Sequence, residues 1–220
     1  MMKPLQVNSQ FAWDKAMRET TLKVAVDAGA NEGGVTNTLL EHGFQVYAFE
    51  PVPQMFAKLE KRFGGDPRVC INRMGLSDKR ETIKGVTVLE AWTIGHVGDG
   101  GLQKTPNPEV QETFDMPTIT LDEYLGQTEI GILKLDVDGF EPRVLRGAEK
   151  TIRRDMPPIL CEFGCYLHKL GESPEAFVNF IFGLGYKVVS CDGKNEFLTW
   201  EQIEPQWPWH TTFDVVLLPR

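Results

Sequence analysis

The sequence predicts a doubly wound α/β domain built on a mostly parallel sheet of about seven strands. Two observations carry this reading. Short apolar runs alternate with amphipathic stretches along the chain, the rhythm of βαβ units. The first of these runs, KVAVDAG at residues 23–29, is apolar enough to be buried on both faces, as strands of a parallel sheet are.

The elements follow in order. After the strand at 23–29, a helix runs from about Gly34 to His42 with Val35, Leu39 and Leu40 inward and Gly43 as its stop. QVYAF (45–49) is the second strand. Pro53 opens a helix whose Phe56, Leu59 and Phe63 share one face and which Gly64 ends. RVCIN (68–72) is the third strand and GVTVLEAWTI (85–94) another. The Gly/Pro-rich stretch 95–109 reads as a long surface loop. A strand and short helix follow within VQETFDMPTITLDEYL, where Pro117 favours an edge position for that strand. GILKLDV (131–137) is a strand entering a turn at Asp138-Gly139. Pro142 begins a helix burying Val144, Leu145, Ala148 and Ile152. PILCEFG (158–164) is the next strand. Ser173-Pro174 is a cap and first-turn signal for a helix with Phe177, Phe180, Ile181 and Leu184 on one face. YKVVSC and FDVVLLP complete the sheet. Residues 1–22 form an N-terminal extension and 23–220 the domain.

Composition narrows the partners. A net charge of -8 repels polyphosphate, so neither nucleic acid nor an anionic membrane surface is an expected partner. The densest basic group, Arg143, Arg146, Lys150, Arg153 and Arg154, reads as a solvated helix face. Four cysteines are too few for a disulfide scaffold, and Cys70, Cys161 and Cys191 sit in apolar runs where a thiol acts as a small hydrophobe. With no signal-peptide core near the N-terminus and no run of membrane-spanning length, the expected location is the cytoplasm.

The most informative segment is VAVDAGANEGG (24–34), a buried strand ending at Asp27, then a glycine turn, then a helix. Gly29 permits a tight turn and close approach of a ligand. Glu50, at the tip of the second strand, is placed to accept hydrogen bonds from both hydroxyls of a ribose. A dinucleotide would need a glycine turn aimed at its pyrophosphate. Here Asn31 stands where the second glycine belongs and Glu32 sets a carboxylate beside it. S-adenosylmethionine has no phosphate and carries an ammonium and a sulfonium, so Asp27, the Gly29 carbonyl and an acidic pocket suit it better.

The strings VDAGANEGG, AFEPVPQMFAKLEK, MGLSD, TITLDEYL and ILKLDVDGFEPRVLRGAEKTI, followed by PPILCEF, resemble the FkbM-type methyltransferases in order and spacing, over roughly residues 23–163. The resemblance implies a class I, Rossmann-like methyltransferase fold with S-adenosylmethionine as cofactor and a small-molecule acceptor, often a hydroxyl of a sugar or natural product. It further implies cofactor contacts by Asp27, Gly29 and Asn31, a ribose contact by Glu50, and a loop near the adenine at Ser77-Asp78. It sets Asp136 near the transferred methyl. The chain departs from the family at Asp138, where a glutamate is usual and the side chain is one methylene longer.

Methyl transfer to an alcohol requires alignment and loss of a proton. Asp136, at a strand end, is the first candidate for base or acceptor-orienting group, with Glu162 and His168 behind it. The carboxylates of residues 136–141 lack the ligand number of a calcium loop, and Cys161, Cys165, His168 and Cys191 lack a zinc spacing, so no metal is expected. Residues 92–110, with Trp92, His96 and several glycines, form a candidate lid over the acceptor. Trp207-Pro208-Trp209 reads as a cover for the sheet edge. Transfer to an amine nitrogen, a nucleoside-binding module without chemistry, and an NAD-dependent oxidoreductase stand as alternatives. Binding of S-adenosylhomocysteine against NAD, and turnover with an acceptor panel, discriminate among them.

Overall fold

The computed structural model describes residues 10–89 and 110–220. The chain opens with helix α1 (Phe11–Glu19), strand β1 (Val24–Ala28), helix α2 (Gly34–Glu41), strand β2 (Gln45–Phe49), helix α3 (Pro53–Phe63) and strand β3 (Val69–Asn72). Strands β4 (Gly75–Leu76), β5 (Glu81–Leu89) and β6 (Val110–Ile119) lead into helix α4 (Leu121–Leu125) and strand β7 (Ile132–Leu135). Helices α5 (Glu141–Gly147) and α6 (Glu149–Asp155), strand β8 (Ile159–Gly164) and helices α7 (Tyr166–Lys169) and α8 (Pro174–Gly183) follow. Strands β9 (Tyr186–Ser190) and β10 (Glu196–Phe197), helix α9 (Trp200–Ile203) and strand β11 (Thr212–Pro219) complete the fold.

The main sheet has the order β10-β9-β11-β8-β7-β1-β2-β3, eight strands rather than about seven, the added one being the two-residue β10 at an edge. β3, β2, β1, β7 and β8 pair in parallel, and β11 runs antiparallel to both β8 and β9. From β1 the chain winds outward through β2 and β3, then returns to β7 on the other side. The β1/β7 boundary is therefore the switch point, the place where an open α/β sheet leaves a crevice at its carboxyl ends.

Side-chain alternation divides the core between the two faces. Val26, Ala28, Leu133 and Leu135 face α5, α6 and α8, while Ala25, Val46, Ala48 and Ile132 face α1, α2 and α3. The residues before the first strand join this second core: Trp13 and Met17 of α1 are buried on the sheet. Among the described residues no helix is long and apolar enough to cross a membrane.

Several expectations are corrected here. β6 is the central strand of a separate three-stranded sheet, β4-β6-β5, not an edge strand. Pro117 is tolerated because β4 pairs only with Thr118 and Ile119, so the proline falls outside that two-residue ladder. The helix after Pro142 is broken at Ala148 into two. Cys70 is exposed, unlike buried Cys161 and Cys191. Trp207 is buried against Phe163 and Trp200 in the core instead of covering an edge, and only Trp209 is exposed. The strand expected at 85–94 begins at Glu81, and its end, with most of the candidate lid, lies outside the described residues.

Gly147 shows how the two sheets are joined. A Cβ there would stand 2.1 Å from the Ser77 carbonyl oxygen, backbone against helix. Gly147→Ala forces this contact apart and should destabilise the protein by about 1–3 kcal/mol, the usual cost of overpacking. Urea unfolding measures it, and an unchanged midpoint would show that the helix is free to shift.

Candidate active site

At the switch point lies a cavity of about 480 Å³, within the range of small-molecule sites. The β1 turn supplies Gly29 and Asn31, the tip of β2 supplies Glu50, and the turn after β7 supplies Asp136 and Asp138. The small sheet closes one side with Leu76 and Met116, and Val52 and Met55 add apolar wall.

Glu50 is the best-defined polar group of this cavity. Its Oε2 accepts from the Asn31 N–H and its Oε1 from the Val52 N–H, both at 2.8 Å. These contacts fix the carboxylate while leaving a lone pair on each oxygen for a ligand. Burial pushes its pKa up to about 7 against the opposing pull of those two N–H groups. Asn31 takes a left-handed φ of 51° to deliver its amide.

Gly29, at φ 75°, serves a different approach from the one expected. A Cβ at this position would meet the Asp136 carbonyl oxygen at 1.9 Å, so the residue is glycine because two loops cross here. Asp27 is also placed differently: it is fully buried and is not part of the cavity wall. Its Oδ2 accepts from the Thr36 hydroxyl at 2.6 Å, and its Oδ1 lies 3.5 Å from the Lys134 ammonium. Lys134 sits opposite Asp27 in the β1/β7 ladder.

Lys134 is the residue that the motif reading missed. Its Nζ donates to the carbonyls of Ala28 and Gly29 and lies 3.4 Å from the Asp136 carboxylate. Burial opposes its charge, but Asp136 and Asp27, then Glu50, outweigh that and hold its pKa above the ordinary value. The signal was present in ILKLDV, where strand alternation sets Lys134 and Asp136 on one face of a buried strand.

The remaining candidates lie apart from the cavity wall. Ser77 is buried and Asp78 pairs with Arg146 at 3.5 Å; both seat α5. Glu162 stands one step beyond Cys161, the register partner of Leu135, and faces Asp214 across the β8/β11 pair. His168 stacks on Trp209 at 4.6 Å, and burial lowers its pKa. The carboxyl end of β7 instead gathers Asp136, Asp138 and Glu141, with Glu162 near. Burial first, then Asp136 and Glu141, pushes Asp138 to about 8. Burial raises Glu141 to about 7, and burial with Asp136 raises Glu162 to about 9. Among the described residues no group of side chains could hold a metal ion.

Such a sheet order, with an acidic residue at the β2 tip and a cavity at the switch point, defines a class I S-adenosylmethionine-dependent methyltransferase fold. A family model, the Methyltransferase FkbM domain, matches residues 27–188, and the chain belongs to that family. The family's methyl donor is S-adenosylmethionine. Among solved structures, Methyltransferase FkbM from Methylobacillus flagellatus KT is similar with a TM-score of 0.53 at 14% identity, over 90% of this chain and 43% of that one. The chain thus spans less than half of that protein. An rRNA methylase from Streptococcus thermophilus has a TM-score of 0.50 at 14% identity, over 97% of this chain and 98% of its own. No curated protein matches the sequence.

The raised carboxyls tie stability to pH. Each binds its proton more tightly folded than unfolded, so the stabilisation is full below the ordinary values of 3.8 to 4.5 and is lost as pH rises through about 7 to 9. We expect the ligand-free protein to melt at a lower temperature at about pH 9 than at about pH 6, and Glu162→Gln to narrow the gap. Equal melting temperatures in calorimetry would show that the fold does not hold these protons.

Proposed function

We propose that the protein transfers the methyl group of S-adenosylmethionine to a hydroxyl oxygen of a small acceptor, such as a sugar or natural product. The observation that carries this reading is the set of carboxyl groups on the cavity wall: Glu50, Asp136 and Asp138, with Glu32 paired to Lys58, stand there with Lys134 as the one ammonium among the described lining residues. A pyrophosphate would be repelled by such a wall, and a ligand bearing sulfonium and ammonium groups complements it. The cofactor supplies an activated methyl group. Glu50 and the Asn31 loop would hold its ribose, with Val52, Met55 and Leu76 as apolar surface for the base. Asp136, 37% exposed at its side chain and steadied by Lys134, is suited to orient the acceptor.

The same charge separates oxygen from nitrogen as acceptor. Carboxylates beside an amine keep it protonated, and an ammonium has no lone pair to attack carbon. A hydroxyl is neutral, and carboxylates accept its hydrogen bond and then its proton. An RNA acceptor, suggested by the rRNA methylase of similar fold, runs against the net charge of -8.

Two measurements test this reading. Glu50→Ala should weaken S-adenosylhomocysteine binding by about 1.5–3 kcal/mol, the range for hydrogen bonds to charged groups. Titration calorimetry that finds parental affinity would remove Glu50 from the ribose site. Asp136→Asn should lower methyl transfer to a hydroxyl-acceptor panel by about a hundredfold, with cofactor affinity within a few-fold of the parent. Equal losses in both would make Asp136 part of the cofactor's seat instead.

A further inference from the structure

The acidic end of the cavity holds more carboxyl groups than orientation of one acceptor requires. Among the described residues Lys134 is the only cationic side chain on the wall, and its ammonium is committed to the Ala28 and Gly29 carbonyls and to Asp27 and Asp136. Asp138 lies deeper than Asp136, at 9% exposure. Its backbone is left-handed at φ 52°, and Gly139 follows at φ 99°. A Cβ on Gly139 would come within 3.0 Å of Tyr166, so the turn is pressed against α7. From the other side, Glu141 accepts from the Val137 N–H at 2.8 Å. The turn is therefore clamped with Asp138 on the cavity wall.

We propose that this end of the cavity distinguishes the methyl donor from its spent product by charge, with Asp138 binding the sulfonium in preference to the neutral thioether and releasing a proton as it does so. This rests on the donor reading above. The ligand is polar at one end and apolar at the other, and so is the cavity: Val52 and Met55, just after β2, are apolar, and Asp136 and Asp138, just after β7, are acidic. Glu50 at the ribose thus sends the charged end toward β7. Donor and product share every group except the methyl on sulfur, so their net charges differ by one. A charge difference in a site shielded from water is felt far more strongly than in solution.

The groups facing Asp138 set the direction of the proton. Asp136 on its own turn, Glu141 of α5 and Glu50 at the β2 tip all favour its neutral form, together with burial; Lys134 of β7 opposes them. Tyr166 of α7 faces the same carboxyl. With a value near 8, Asp138 is mostly protonated at neutral pH, and a cation seated beside it reverses that balance. The carboxylate so formed can then keep the proton that transfer to oxygen liberates. The C–O bond forms as the C–S bond breaks, its electron pair remains on sulfur, and the hydroxyl proton passes to Asp138. Product then faces a neutral carboxyl and has lost the charge that held it.

Titration calorimetry of the whole protein with S-adenosylmethionine and with S-adenosylhomocysteine tests this, at about pH 6 and about pH 8 and in two buffers of different ionisation enthalpy. Expected is a donor-to-product affinity ratio that rises about tenfold between the two pH values, with more protons released by the donor. Asp138→Asn should abolish most of both differences and leave product affinity within about twofold. Sinefungin, whose amine restores a cation at the sulfur position, should follow the donor in the unmodified protein, which keeps the test open if the variant does not fold. A product that binds as tightly as the donor at both pH values, or equal proton release by the two, overturns the proposal while leaving the donor site in place. If neither ligand binds, the donor reading itself fails and this one falls with it.

Discussion

The buried ammonium of Lys134 is the contact on which the mouth of the sheet depends. β1 and β7 are parallel neighbours, and their carboxyl ends leave carbonyls and carboxylates crowded at one point. Without a cation, Asp27, fully buried, would face Asp136 and two outward carbonyls across a low-dielectric gap. Lys134 bridges all of them, and so holds the Gly29 turn against the Asp136 loop closely enough that only glycine fits between. An isolated buried charge is very costly, and this one persists because its donors are matched by acceptors. The position of Glu50 follows, because the amides of Gly29 and Ala30 bond to the Phe49 carbonyl and that of Asn31 to Glu50 itself.

Among the described lining residues one ammonium stands with several carboxyls, and the neighbouring carboxyls divide by burial. Asp27 and Glu141 are enclosed and act on the backbone, one through Thr36 and Lys134, the other through Val137. Glu50, Asp136 and Asp138 reach the cavity. The small sheet divides its labour in a similar way: Leu76 and Met116 form wall, while the next residue, Ser77, packs its carbonyl against Gly147 and sets the position of α5.

Strand periodicity made most of the architecture legible. The second strand at 45–49 and the helix ended by Gly64 stand where alternation and capping residues set them, and Glu50 at its strand tip needed no tertiary information. What sequence could not supply was which partner reaches a group first. Asp27 reads as a ligand contact from its strand end alone, and that pattern does not show that the β1/β7 register brings Lys134 opposite it, a pairing between residues more than a hundred positions apart. Ser77 and Asp78 read as loop residues until α5 closes over them. Pro117 reads as an edge signal because the edge rule concerns one ladder position, and β4 is too short to reach it. Cys70 and Trp207 mislead for the same reason: their burial depends on which helix or loop covers the sheet, which local pattern does not contain.

The acidic cluster also has a consequence for the fold that carries it. Carboxyls that keep their protons because burial disfavours their charge are expected to weaken the ligand-free protein as pH rises, a cost in stability that functional sites commonly carry. A cationic ligand removes that cost by stabilising the ionised forms, and whatever binds only the folded state stabilises it by mass action. Charge therefore links the proposed preference for a sulfonium over a phosphate, the expected pH dependence of folding and the firmness of the β7 turn. Gly139 and Glu141 clamp that turn in the ligand-free protein, so a response to charge through protons alone would need no movement of the backbone.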